Sequence, residues 1–164
     1  WTALRYFNAA GATPHRGEDH RPESHLIPLV LQVALGQRDE IAVFGSDYDT
    51  PDGTAIRDYI HVLDLAEAHV VALEATEPGR GAAYNVGTGR GYSVQEVIET
   101  CREVTRHPIP TTLAPRRAGD PPRLVADPGN LQATFGLTPR HSDLHDIVAS
   151  AWDWHETHPA GYAT

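Results

Sequence analysis

Thr50-Pro51-Asp52-Gly53-Thr54-Ala55-Ile56-Arg57-Asp58-Tyr59-Ile60-His61-Val62 decides how this chain folds. Pro-Asp-Gly is turn chemistry: proline presets one dihedral, aspartate closes onto its own backbone, and glycine takes a positive φ. The reading is therefore a polar loop from Gly45 to Asp58 turning at Pro51-Asp52-Gly53, then a strand over Tyr59 to Val62. Asp64 is expected to N-cap a helix, with Glu67 three residues on as in a capping box. Leu65, Ala66, His69, Val70 and Leu73 recur at helical spacing to about Ala75.

The same strand-then-helix pattern runs outward in both directions. Upstream, Thr2 to Phe7 reads as a buried strand, and Thr13 to His25 as a long polar loop. Leu26 to Leu35 is nearly continuous apolar sequence, a buried helix with Pro28 in its first turn and Gly36 at its stop. Ile41 to Phe44 is a short strand. Downstream, Ala82 to Val86 is a strand, and Ser93 with Glu96 opens a helix to about Thr105. Further strands are expected at Thr111 to Ala114 and Leu124 to Ala126. Asp127-Pro128 is expected to cap a short helix through Phe135, and Ser142 to open the last one. The class is α/β, a single domain with short strands and long loops, unlike a self-contained doubly wound sheet.

Composition narrows the chemistry. The chain has 164 residues, a formal net charge of -9, one cysteine and no methionine. No basic patch stands out, so no nucleic-acid partner is expected. No apolar run reaches the ~20 residues that span a bilayer, so no membrane partner is expected either. One cysteine allows no internal disulfide and suits a reducing, cytoplasmic setting. All 13 basic residues are arginine, so no lysine of this chain can act as a Schiff base or in a Tyr-x-x-x-Lys dyad. A strand at the first residues and the missing methionine suggest a piece of something longer.

Four groups of residues invite a functional reading. Gly87-Thr88-Gly89-Arg90-Gly91 follows a strand, but its third glycine is one place early for a dinucleotide turn, and Ser93 already caps the helix; a tight turn is the better reading. His141 with His145, and His155 with His158, share helix faces, yet a site needs a third and a fourth ligand and no H-E-x-x-H or cysteine pair exists, so no metal site is expected. Arg57, and Arg116-Arg117 before Asp120, could hold an anion, with Asp120 accepting from sugar hydroxyls; an Arg-Asp pair closing the loop is equally consistent. Asn8 ends the first strand where open α/β sheets place ligands, or else makes a local turn.

Taken in order, these segments resemble the UDP-glucose 4-epimerases of the extended short-chain dehydrogenase/reductase superfamily. The resemblance rests on Leu4-Arg5-Tyr6-Phe7-Asn8, Gly17-Glu18-Asp19 and His25-Leu26-Ile27-Pro28. It continues through Val43-Phe44-Gly45-Ser46-Asp47-Tyr48, the Thr50 to Val62 stretch, Tyr84-Asn85-Val86-Gly87 and Pro115-Arg116-Arg117-Ala118-Gly119-Asp120. It implies the C-terminal, substrate-binding part of such an enzyme with the Rossmann core mostly absent: residues 1–12 on the Rossmann side and 13–164 in the substrate region. In the family, NAD takes hydride from sugar C4 and returns it to the other face, while a tyrosine of Tyr-x-x-x-Lys takes the hydroxyl proton. This chain has no such tyrosine motif, so it is expected to be inactive alone.

Position by position, the resemblance implies that Tyr6 and Phe7 line the nicotinamide side and Asn8 meets the substrate diphosphate. His25 and Leu26 fall near the phosphates and sugar, where the family often has Asn-Leu. Ala42, Val43 and Phe44 match the strand that receives uracil. Arg57 and Arg117 match the diphosphate arginines, and Asp120 the ribose contact. Leu124 matches a position near the hexose where a bulky tyrosine in some members excludes N-acetylated sugars, so leucine implies tolerance of them. The partner implied is a UDP-hexose, and family members often form homodimers through helices mostly upstream of the matching segment.

Overall fold

A computed structural model describes residues 1–162. The Thr50 to Val62 stretch is its organising seam. Gly53 has a φ of +79°, and a Cβ there would stand 2.2 Å from the Ser46 carbonyl oxygen, so only glycine closes this turn. Beyond the turn come β4 (Ile56–Arg57), β5 (Tyr59–His61) and α2 (Val62–Glu74). β4 is absent from the sequence reading, which has only loop there. It lies in the middle of a small sheet, antiparallel to β7 (Tyr92–Ser93) and parallel to β9 (Arg123–Leu124).

The loop is fastened to α3 (Val94–Thr105). The Asp52 carboxylate accepts from the Ser93 hydroxyl, Thr54 Oγ1 accepts from Gln95 N at 3.2 Å, and Val94 N donates to Ala55 O at 3.0 Å. The expected capping box is present: Ser93 N donates to Glu96 Oε2 at 2.6 Å and Glu96 N to Ser93 Oγ at 3.0 Å. One segment thus fixes a strand, a loop and the start of a helix.

The remaining strands pair in parallel: β1 (Thr2–Tyr6) with β6 (Ala82–Val86), β2 (Asn8–Ala10) with β5, and β3 (Ile41–Phe44) with β8 (Thr111–Ala114). Parallel pairs need crossovers, and here helices supply them. α1 (Leu26–Ala34), α3 and α5 (Leu144–Thr157) pack together around Leu31, Ile98, Cys101, Ile147 and Trp152. A second cluster joins Ile60, Ala68, Val86 and Leu131, the last from α4 (Gly129–Phe135).

Several local expectations shift. Asp64 is not the N-cap of α2: His61 is, its Nδ1 accepting from Leu63 N at 3.1 Å. Asp64 sits in the first turn and instead accepts from Arg140 N and His141 N, both at 2.9 Å. Its carboxylate closes a distant loop, a use that neighbours in sequence do not reveal. Asp143, not Ser142, caps α5 by accepting from His145 N at 2.9 Å. α2 turns its small residues inward: Ala68 and Ala72 are buried, whereas Val70 is 55% and Leu73 76% exposed. β1 is likewise less buried than its composition suggests, with Tyr6 51% exposed. Its partner is β6, and no other strand among the described residues lies along it.

Candidate functional site

The C-terminal end of β2, the start of α1, β3, β4 and the loop after β8 surround a cavity of about 210 Å3. Asn8, His25, Leu26, Ala42, Phe44, Arg57, Arg117 and Asp120 all line it. These residues come from segments far apart in the sequence, and folding brings them to one wall-to-wall space. Apart from Ser24, the remaining lining is mainly apolar, with Ile27, Pro28, Leu29, Ala55, Tyr59 and Val94 among it. Few polar groups on apolar walls is the usual design of a small-molecule site.

The polar groups divide into committed and available ones. Arg57 is largely buried. Its Nη1 donates to Ile56 O at 2.8 Å and Pro121 O at 3.0 Å, and its Nη2 lies 3.1 Å from Asp120 Oδ1. The Arg-Asp pair that closes this loop is therefore Arg57 with Asp120, not either arginine of the Arg116-Arg117 doublet. Arg116 turns outward to Asp47, Nε to Oδ1 at 2.7 Å, and lies 4.3 Å over the Tyr48 ring. Its hydrogen bonds hold the Asp47 carboxyl below the ordinary carboxylate range. Arg117 lies over the Phe44 ring at 4.0 Å, and among the described residues no carboxylate pairs with it. A guanidinium stacked on an aromatic edge of a cavity, with its fork unpaired, is placed to meet an anion.

Asn8 is tied by both its backbone N, 3.0 Å, and its Nδ2, 2.8 Å, to the carbonyl of Asp58. Asp58 is fully buried and went unnoticed in the sequence reading as the mere end of a loop. Its carboxylate accepts from Thr88 N at 2.9 Å, Thr88 Oγ1 at 2.7 Å, Gly89 N at 2.9 Å and Ala126 N at 3.1 Å. The glycine turn thus has its anion already, in a side chain of the same molecule. Its Thr88 and Gly89 amides are spent on Asp58 and the Arg90 amide on Thr88 Oγ1, which leaves it unsuited to a pyrophosphate. A signal existed for Asp58, since an acidic residue beside a strand can serve amides elsewhere, but nothing in sequence names the partner.

The other named residues stand around the cavity rather than in it. Val43 alternates away from Ala42 and Phe44 and is buried in the main core. Leu124 pairs with Arg57 across β9 and β4 and is about half exposed. Tyr6 and Phe7 line a second cleft, about 530 Å3, that shares Asn8, Ala9, Ala10 and His25 with the first. Tyr6 Oη lies 2.5 Å from His69 Nε2. The lining of this cleft is apolar in the main.

The long loop before α1 is held from behind. Trp154 Nε1 donates to Glu18 O at 3.3 Å, and a Cβ on Gly17 would sit 2.1 Å from the Trp154 ring. Tyr162 Oη donates to Gly17 O at 3.1 Å. The histidine pairs chosen by spacing do not gather ligands. The histidines that do converge with carboxylates are His20 and His25, with Glu18 and Glu23. They stand at i, i+2, i+5 and i+7 in a segment that is loop and not helix, which is why helical periodicity passes them over. Cys101 is buried mid-helix, and burial pushes its thiol up to about 12, so it is a small core residue rather than a nucleophile.

The model of the NAD dependent epimerase/dehydratase family matches residues 1–87. A UDP-glucose 4-epimerase of Halalkalibacterium halodurans is 56% identical over 167 aligned residues, covering 100% of this chain and 50% of that protein. The structure of a UDP-glucose 4-epimerase from Bifidobacterium longum in complex with NAD+ and UDP superposes with a TM-score of 0.92 at 41% identity. That match covers 98% of this chain and 49% of the other. The UDP-Glc/GlcNAc 4-epimerase of Campylobacter jejuni superposes at 0.80 with 42% identity, covering 95% and 48%. The chain spans about half the length of the curated relatives it matches.

Proposed function

This chain belongs to the NAD dependent epimerase/dehydratase family, and from that premise we propose that it forms the UDP-sugar-binding half of a UDP-glucose 4-epimerase. The observation that carries the proposal is the single cavity onto which Asn8, His25, Arg57, Arg117 and Asp120 converge.

Charge assigns the roles. Arg57 is neutralised by Asp120, so Arg117 brings the unpaired positive charge to the cavity. In a protein of net charge -9, such a local cation is what holds a diphosphate against the overall field. Arg57, fastened to the backbone through Nη1, reaches the same anion through Nη2, the nitrogen it shares with Asp120. Asp120 keeps one carboxylate oxygen for ribose hydroxyls. Ala42 and Phe44 form the flat apolar slot for uracil. Leu124, shorter than an aromatic residue, leaves room near the hexose, so the parent enzyme accepts UDP-N-acetylhexosamines as well.

The residues present offer NAD one wall, through Tyr6 and Phe7, and the glycine turn cannot take its phosphates. NAD, where bound, supplies the hydride acceptor and donor for sugar C4. This chain's part is to hold the nucleotide firmly and leave the hexose free to turn, which is differential binding at the reacting end. Residues 1–12 belong to the NAD side and 13–164 to the sugar side. A cytoplasmic setting and a homodimeric parent complete the proposal.

The experiment is an epimerase assay. The isolated chain, supplied with NAD and UDP-galactose, gives no UDP-glucose, because these residues hold neither the Tyr-x-x-x-Lys motif that takes the proton nor a glycine-rich loop free to bind NAD as hydride acceptor. Turnover by the isolated chain overturns the division of labour.

A further inference from the structure

The loop before α1 gathers Glu18, His20, Glu23 and His25, with one ligand atom from each lying within 4.8 Å of the others. His25 Nδ1 is 2.6 Å from Glu18 Oε1 and 2.9 Å from Glu23 Oε1. His20 Nδ1 is 3.7 Å from that same Glu23 oxygen, and the two imidazole rings are 5.1 Å apart. Two carboxylates therefore aim at one ring nitrogen, which has at most one proton to give. Arg21, in the same loop, does not balance them, since it is committed to Asp19 and to the Ala160 carbonyl.

We propose that these four side chains bind one divalent transition-metal ion of the zinc type. Two imidazoles with two carboxylates and no thiolate suit zinc or cobalt rather than calcium or magnesium. The cation replaces the shared proton and separates the two carboxylates, so a small opening of the cluster is enough to admit it.

The surroundings already orient the ligands. Glu23 Oε1 accepts from Ser24 N at 2.6 Å and from His25 N at 2.8 Å, which holds that carboxylate beside the two imidazoles. Glu18 is held through its carbonyl by Trp154, and Asp19 next to it accepts from Tyr162 N at 3.0 Å. Such outer partners fix ligand geometry in metal sites. The bound ion pins a long loop to the first residue before α1. Because His25 also lines the cavity, the ion sets one wall of the nucleotide-sugar site. The metal reading stands apart from the functional proposal: binding of an ion is measured without nucleotide, sugar or turnover.

The test is titration of the chelator-stripped chain with Co2+, then Zn2+. The expected result is one Co2+ per chain with the intense visible absorption of four-coordinate cobalt, displaced by Zn2+. His20→Ala and Glu18→Gln each weaken Zn2+ about tenfold or more in competition with a chromogenic chelator. His20 is half exposed, so its loss does not threaten the fold, which circular dichroism confirms. No stoichiometric binding overturns the site. So does binding unchanged in both variants, or binding abolished by the control His141→Ala/His145→Ala.

Discussion

Asp58 does more for the structure than any other single side chain in the site region. One buried carboxylate satisfies amides of the glycine turn and of Ala126, while its own carbonyl holds Asn8. Asp58→Ala leaves those amides unpaired away from water, and we expect a loss of about 3 kcal/mol or more in denaturant unfolding. Arg116→Ala, which breaks an exposed, solvent-screened pair with Asp47, costs much less in the same measurement. A smaller loss for Asp58 than for Arg116 would contradict this reading. At this scale the sequence was legible where a residue's role depends on its type. Arg117 and Asp120 could be picked out because forks and carboxylates have few uses. Asp58 and Asp64 could not, because their partners lie 30 or more residues away and only the fold introduces them.

Elements were legible where caps and apolar runs agree. α1 and α3 fall where proline, glycine and the Ser93-Glu96 box place them. β4 escapes a sequence reading because two residues carry no periodicity, and of the α2 residues that recur at helical spacing Leu65 packs on a core whereas Val70 and Leu73 face outward. Alanines at 68 and 72 let the helix approach the strands closely, and that outweighs the larger apolar area of Val70 and Leu73. The α2 cap also carries a pH dependence. Burial, then the neighbouring His141, pushes the His61 imidazole below its ordinary value, with Asp64 and Asp146 opposing. A depressed value means that the fold favours neutral imidazole. The contribution is present above about pH 6.5, the unfolded value, and is lost as pH falls through the folded one. His155 shifts the same way by burial. Stability should therefore drop from about pH 7 to pH 5, and less steeply in His61→Asn, which keeps a cap but does not titrate. Equal slopes by urea unfolding would count against His61 as the titrating cap.

The whole molecule is two cores joined along the Thr50 to Val62 seam, and the cavity lies against the larger of them, whose Ala10, Ile27 and Tyr59 line it. Of the residues that the family resemblance names, Asn8, His25, Leu26, Ala42, Phe44, Arg57, Arg117 and Asp120 line one cavity, and Val43 and Leu124 do not. The α/β class was readable from local chemistry and from that resemblance. The arrangement of β1, exposed on one side with Tyr6 facing outward, was not, because composition alone does not say whether an apolar strand has neighbours on both edges. The central claim is that the cavity grips a uridine diphosphate through Arg117. Calorimetry of the chain with UDP, dTDP and GDP tests it most directly. The account predicts one UDP bound per chain in preference to the other two, and binding at least about tenfold weaker in Arg117→Ala, the size of one lost charge-assisted hydrogen bond. A folded chain that gives no UDP signal, or binds UDP equally well without Arg117, would contradict it.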